Sequence, residues 1–251
     1  MSGHVQVLSG LAGSAELWVD VAGRLQVARP DTITTVEDVP WQGHGPWALP
    51  GWDSDQAIGD LVHADSVVVA HSFAATLALA QLCCATRARP AGVVLISPFY
   101  RPQTTDFTWG SLEHFLLRFH EFLETGLVAR STRMIDPDVR VAMAKTVRDW
   151  TGPYGWMAFM TAYLATPSFD LSQADMPVTV VYGTDDGVAP PEDAVALADL
   201  LPNADLQPVA GADHFPMTSH PELVTEVIST VLSRTERDAA RIPLAATTIR
   251  S

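Results

Sequence analysis

Apolar positions follow two rhythms along this chain of 251 residues. Short runs with the β-branched content and length of strands are Val5-Gln6-Val7-Leu8, Thr32 to Val36, Val67-Val68-Val69-Ala70, Val93-Val94-Leu95-Ile96, Val178 to Tyr182 and Asp205 to Val209. Those without polar alternation must be covered on both faces, as in a parallel sheet between helix layers. Segments of helical periodicity separate them: Glu16 to Leu25, Asp53 to His63, the alanine- and leucine-rich run from Phe73, Pro191 to Leu201, and an amphipathic segment with Leu223, Val227, Ile228 and Val231 on one face. The alternation predicts an α/β fold on an essentially parallel sheet of about six strands. It breaks from about Tyr100 to Phe169, where Trp109, Phe115, Phe119, Phe122, Trp150, Tyr154, Trp156, Phe159 and Tyr163 recur at roughly helical spacings, predicting a helical insertion. Beyond Arg234 no clear period remains, so a loosely ordered tail is expected.

The sharpest local signal is Val67 to Ala80, where a buried strand passes through small residues straight into a buried helix with Ser72 at the turn. So tight a turn strains the serine backbone and exposes its Oγ above the strand end, while the helix behind aims its N-terminal N–H groups at the same spot. Ala70 and Ala74, two residues to either side, are small enough for strand and helix to cross.

Two further strand ends carry chemistry. Gly183-Thr184-Asp185-Asp186-Gly187-Val188-Ala189-Pro190 places two carboxylates at the carboxyl end of a parallel strand, the edge where open α/β sheets hold their ligands. Gly211-Ala212-Asp213-His214-Phe215-Pro216 follows the last strand and leads through His220-Pro221-Glu222 into the final helix, with His220 as a helix-start residue. The first strand ends in Ser9-Gly10-Leu11-Ala12-Gly13, a glycine-bearing loop that lets a ligand approach bare backbone N–H groups.

Together these segments resemble the α/β-hydrolase family, which uses nucleophile, acid and histidine in that chain order. The resemblance covers nearly the whole chain. Alanines stand at the two elbow positions where the family usually has glycine, and Ser9 stands where it usually has histidine. The resemblance implies Ser72, Asp186 and His214 as the catalytic residues. Aligning Gly183 and Pro190 with the family's Gly-x-x-Asp-x-x-x-Pro selects Asp186, with Asp185 as the fallback. It further implies the backbone N–H groups of Leu11 and Phe73 as the oxyanion hole, and a substrate pocket touched by Gly10, His71, Trp109 and Trp156. Asp38 to Trp47 resembles the loop after the family's next strand, with His44 as a candidate pocket residue. The implied architecture is an α/β-hydrolase core in two parts, 1–99 and 171–236, a helical cap over 100–170 and a tail over 237–251. The antiparallel hairpin that usually precedes the first oxyanion strand is expected to be absent, since only Met1 to His4 precede it.

Composition narrows the partners. With 29 acidic against 15 basic residues the formal charge is −14, a surface that repels phosphate backbones and anionic lipid, so neither nucleic acid nor membrane is expected and a small-molecule substrate is. Oligomeric state stays open. Cys83 and Cys84 are the only cysteines and read as small buried packing residues. Met1 to His4 offers no basic start and no apolar leader, so a cytoplasmic protein is expected. No cofactor or metal is implied, since no run has metal-ligand spacing and no phosphate loop appears.

The leading functional expectation is a serine hydrolase acting on an ester, lactone or thioester of a small, largely apolar molecule. Two others stay open: the same three side chains put to lyase, cyclisation or acyl-transfer work, and a ligand-binding relative that no longer turns over.

Overall fold

A computed structural model describes residues 3–37, 62–84, 88–131 and 134–241. The loop Asp38 to Trp47, His44 with it, and most of the helix expected over Asp53 to His63 lie outside the described residues. Six strands form one sheet: β1 (His4–Leu8), β2 (Ile33–Glu37), β3 (Val67–His71), β4 (Gly92–Ile96), β5 (Val178–Gly183) and β6 (Ala204–Val209), in the order β2-β1-β3-β4-β5-β6. Every neighbouring pair is parallel, with Val5 beside Val67, His71 beside Ile96, and Gly183 beside Val209.

The valine runs are buried on both faces because the pleat sends alternate side chains into separate cores. Val67 and Val69 pack with Val94, Ile96 and the inner faces of α1 (Val19–Ala28) and a long C-terminal helix. Val68 and Ala70 pack on the opposite side with α2 (Phe73–Leu82) and Leu197 of α5 (Pro191–Leu200). Full burial of each such valine contributes on the order of 1.5–3 kcal/mol, which makes β3 the rigid centre of the sheet. β2 and β6 are the edges, and β6 tolerates Pro208 because one side of an edge strand has no ladder to lose.

Between β4 and β5 the chain leaves the sheet, as the aromatic spacing predicts. It forms α3 (Trp109–Arg130), opened by a reciprocal Thr108–Ser111 cap, and α4 (Pro137–Ala165), opened by the Asp136 carboxylate accepting from Asp138 and Val139 N–H groups. Gly152, at φ +65°, kinks α4 just before Pro153, since the residue preceding a proline is driven out of helical geometry. These two helices make up the inserted segment.

Two expectations need correction. α6 (Pro216–Ser219) is followed by α7 (Pro221–Arg241), which runs on past Arg234 without a break. Contacts to the body of the protein replace the missing apolar period there: Arg234 bonds Asp205 and Asn203, and Glu236 pairs with Arg29. Second, the neighbouring cysteines are not both buried; Cys83 is partly covered, Cys84 is exposed, and both are free thiols. Among the described residues no helix is long and apolar enough to cross a membrane.

Candidate active site

β3 and α2 meet at Ser72 with almost no connecting loop. Its backbone adopts φ +59°, ψ −126°, a region costly for any residue with a Cβ, and is held there from both directions. The Ser72 N–H donates to the Ile96 carbonyl at 2.8 Å, and its own carbonyl accepts from Ala75 and Thr76 at 2.9 and 3.2 Å, opening α2. Ala70 and Ala74 are completely buried at the crossing, where their small size lets the elements approach. The strain lifts Oγ to the carboxyl edge of the sheet.

β5 leads into the loop that carries Asp186. Its last residue, Gly183, lies against the chain leading to His214, and a Cβ there would overlap the carbonyl oxygens of Ala212 and Asp213. The Asp185 N–H donates to the Ala212 carbonyl (2.9 Å) and the Gly211 N–H to Thr184 Oγ1 (2.9 Å), locking the acid loop to the histidine loop. Asp186 Oδ1 accepts from the N–H groups of Val188 and Ala189 at 2.8 and 2.9 Å, which leaves Oδ2 for the His214 ring.

The three side chains form one relay. His214 Nδ1 lies 2.8 Å from Asp186 Oδ2 and His214 Nε2 lies 2.9 Å from Ser72 Oγ, with all three residues buried. Burial pushes the Asp186 carboxyl up, but the charge and hydrogen bond of His214 and the two loop N–H groups together hold it below its ordinary value. An ionised Asp186 accepts the Nδ1–H of His214, which leaves Nε2 to accept from the Ser72 hydroxyl. Asp185 is exposed, and one of its carboxylate oxygens accepts from the Thr184 hydroxyl.

A cavity of about 670 Å³, part of it open to solvent, adjoins Ser72 and His214. Leu11, Ala12, Leu17, Phe99 and Phe215 line it from the core, Phe115, Phe119, Phe122 and Leu123 from α3, and Trp156 and Phe159 from α4; among the described residues no Asp, Glu, Lys or Arg side chain is part of the lining. Thr76 fixes the Phe99 wall by exchanging hydrogen bonds with its backbone at 3.0 and 3.1 Å.

The residues expected to touch substrate divide. Trp156 lines the cavity and is packed at a ring-centroid distance of 4.5 Å on Phe119. Trp109 does not: it is 88% exposed at the first turn of α3, because the face that reaches the cavity begins nearly two turns later, at Phe115. Gly10 is not part of the wall either; it packs on the elbow, where a Cβ would stand 2.7 Å from Ser72 Cβ and 2.9 Å from the His71 carbonyl. Leu11 and Phe73 both border the cavity beside Ser72, Leu11 inside a turn closed by Gly13 N–H on the Gly10 carbonyl (2.8 Å), Phe73 as the first residue of α2. Ser9, in the position of the family's histidine, is fully buried and accepts from the Trp18 indole at 3.1 Å. His71 borders the cavity but is 2% exposed, its ring turned to the backbone of His214.

Sequence reasoning missed Asp193. Its buried carboxylate accepts from the Tyr163 hydroxyl (2.6 Å) and the Tyr100 N–H (3.1 Å) and pairs with Arg101 (2.8 Å), fastening α4 to the first turn of α5. Burial pushes it up to about 7 against the pull of Tyr163 and Arg101. No motif marks it, because an aspartate two residues into a helix reads as an ordinary N-terminal charge. Among the described residues no group of three or more His, Cys, Asp or Glu side chains is arranged to hold a metal ion.

Comparison with known proteins agrees with this architecture. Residues 7–227 match the model of the alpha/beta hydrolase family. The non-heme chloroperoxidase of Streptomyces lividans is 45% identical over 56 residues, a stretch that spans 22% of this chain and 20% of that relative. Among solved structures, a lipase candidate from Acinetobacter baumannii superposes with a TM-score of 0.72 at 17% identity, covering 94% of this chain and 85% of that one. The bromoperoxidase from Bacillus anthracis does so with a TM-score of 0.67 at 15% identity, covering 93% and 92%. The match over most of the sequence, on a six-stranded parallel sheet with a helical insertion after its fourth strand, places this chain in the alpha/beta hydrolase family.

Proposed function

We propose that the protein is a serine hydrolase that cleaves an ester, lactone or thioester of a small, largely apolar molecule through an acyl-enzyme on Ser72. The observation that carries this reading is the unbroken hydrogen-bond chain from Ser72 Oγ through His214 to Asp186. Ser72 Oγ attacks the acyl carbon while its proton passes to His214 Nε2, and Asp186 steadies the imidazolium that forms. The backbone N–H groups of Leu11 and Phe73 donate to the oxyanion, each worth about 3 kcal/mol in the transition state. His214 then protonates the departing alcohol or thiol. Water, deprotonated by the same nitrogen, attacks the acyl-enzyme, releases the acid and returns the proton to Ser72.

The aromatic lining supports an apolar substrate, because the wall that the described residues form is uncharged and offers a carboxylate or ammonium no compensation for lost water. A second reading keeps the acyl-enzyme and passes the acyl group to an acceptor other than water, work that the same base and oxyanion donors can serve. One experiment addresses both. Wild type and Ser72→Ala are offered p-nitrophenyl esters, thioesters and lactones of increasing chain length in 18O-labelled water. Hydrolysis predicts turnover by the wild type alone, with one solvent oxygen in the released acid. Turnover without label supports acyl transfer, and turnover by Ser72→Ala contradicts both.

A further inference from the structure

His71 ends β3 and immediately precedes Ser72, so its ring moves with the nucleophile. The ring does not face the cavity with a free polar edge. Its Nε2 lies 2.9 Å from the His214 backbone carbonyl, and its centroid lies 4.9 Å from that of the His214 ring and 5.3 Å from that of Phe215. A carbonyl only accepts, so Nε2 carries the hydrogen and Nδ1, in a neutral ring, carries the lone pair. Nδ1 is buried with no hydrogen-bond partner among the described residues, beside Gly10. Adding a proton there would bury a charge next to the imidazolium formed in catalysis. Burial and the neighbouring His214 accordingly push the His71 ring down to about 3, and it remains a neutral donor across the working range.

The loop carrying His214 is held on the acid side by the bonds from Asp185 and Gly211 and by the close contact at Gly183. On the nucleophile side, the Oγ–Nε2 hydrogen bond is itself consumed and remade in every cycle. The His71–carbonyl bond is a second link on that side, and it is not touched by the chemistry. We infer that His71 is a positioning residue: through its Nε2–H it ties the backbone of His214 to the residue next to Ser72, and so sets the Oγ–Nε2 distance. This role rests on the proposed hydrolase reading and replaces the expectation that His71 contacts substrate.

The test compares His71→Gln, whose amide N–H reaches roughly as far as Nε2, with His71→Leu, which fills similar space without a donor. Folding of each is checked by thermal unfolding, and activity is measured on the best ester found for the wild type. A clamp predicts that His71→Leu loses roughly 10–100-fold in kcat with KM changed less than about 3-fold, the scale expected for misplacing reacting groups by up to an ångström. His71→Gln should keep most of kcat. If KM rises instead, His71 is a substrate contact, and if Leu and Gln behave alike the hydrogen bond is irrelevant; either result overturns the inference. Where His71→Leu does not fold, His71→Asn replaces it, since its shorter amide should fall short of the carbonyl.

A readout independent of turnover separates this inference from the hydrolase reading. In 15N-labelled wild type, His71 should show a protonated Nε2 and an unprotonated Nδ1 from pH 5 to 9. The low-field proton between His214 and Asp186 should broaden or shift in His71→Leu and persist in His71→Gln. With no esterase activity in the wild type but these signals present, the clamp stands and the hydrolase reading fails. With activity present but a protonated His71 Nδ1, or an undisturbed low-field proton in His71→Leu, the clamp fails alone.

Discussion

Gly10 and Ser72 approach each other so closely that a Cβ on Gly10 would stand 2.7 Å from the Cβ of the serine. The first loop is thus pressed against the elbow, and its distance from the reacting oxygen depends on the absence of one methyl group. Gly10→Ala must displace the loop or the elbow. We predict a loss of about 1–3 kcal/mol in unfolding free energy, the usual cost of overpacking. It should be accompanied by a drop in kcat as the Leu11 N–H moves from the oxyanion. Denaturant unfolding and ester kinetics on the same preparation check both; an unchanged kcat would remove Leu11 from the oxyanion hole.

The acid can be assigned by exchanging one atom. In Asp186→Asn the side chain can still accept from Val188 and Ala189, but its NH2 faces His214 Nδ1 and forces the ring proton onto Nε2, where Ser72 needs an acceptor. kcat should fall by about 10³–10⁴ while the fold survives. Asp185→Asn should stay within about 3-fold of wild type, because that exposed carboxylate is engaged only locally with Thr184. The reverse ranking in steady-state kinetics would make Asp185 the acid.

Two buried groups give the stability opposing dependences on pH. His71 is lowered from 6.5 to about 3, so between these values the unfolded chain binds the extra proton and stability is lost as pH falls. Asp193 is raised from 3.8 to about 7, so the folded protein binds the extra proton there and stability is lost as pH rises. Each contributes a slope of at most about 1.4 kcal/mol per pH unit, and in the wild type the two partly cancel. Urea midpoints from pH 4 to 8 should therefore show His71→Gln gaining relative to wild type toward acid, and Asp193→Asn gaining relative to wild type toward pH 8. Parallel profiles for all three proteins would contradict both assignments.

The two tryptophans expected near substrate should behave differently. Trp156→Ala opens the cavity wall beside Phe119 and should shift the preferred ester toward longer or bulkier acyl chains. Trp109→Ala removes an exposed ring and should leave the chain-length profile and the stability unchanged, the latter to within about 0.5 kcal/mol. A p-nitrophenyl ester series read for both variants decides, and an altered profile in Trp109→Ala would bring that ring back to the site.

What the sequence made legible was whatever depends on local pattern. The valine runs announced strands covered on both faces, and Ser72 sat between residues small enough for a crossing. The resemblance to the family's Gly-x-x-Asp-x-x-x-Pro, aligned on Gly183 and Pro190, pointed to Asp186 with Asp185 as the fallback, and Asp186 is the carboxylate within hydrogen-bond distance of His214. The features that escaped depend on which way a side chain turns once helices pack. Trp109 shares the aromatic spacing of Phe115 but sits before the helix reaches the cavity, and Cys84 follows Cys83 onto an open face. The bonds that carry α7 to Arg241 join residues far apart in the chain, such as Arg29 and Glu236. His71 was expected to touch substrate, yet its ring is turned to a backbone carbonyl 143 positions away, which no periodicity encodes.

The central claim is that His214 makes the hydroxyl of Ser72 a nucleophile. Its most direct test is reaction of the folded protein with a fluorophosphonate, followed by mass mapping of the adduct at pH 7 to 8. The account predicts one adduct, on Ser72, absent in Ser72→Ala and formed at least about 100-fold more slowly in His214→Ala. An adduct on another residue, no adduct on folded protein, or equal labelling in His214→Ala would contradict it.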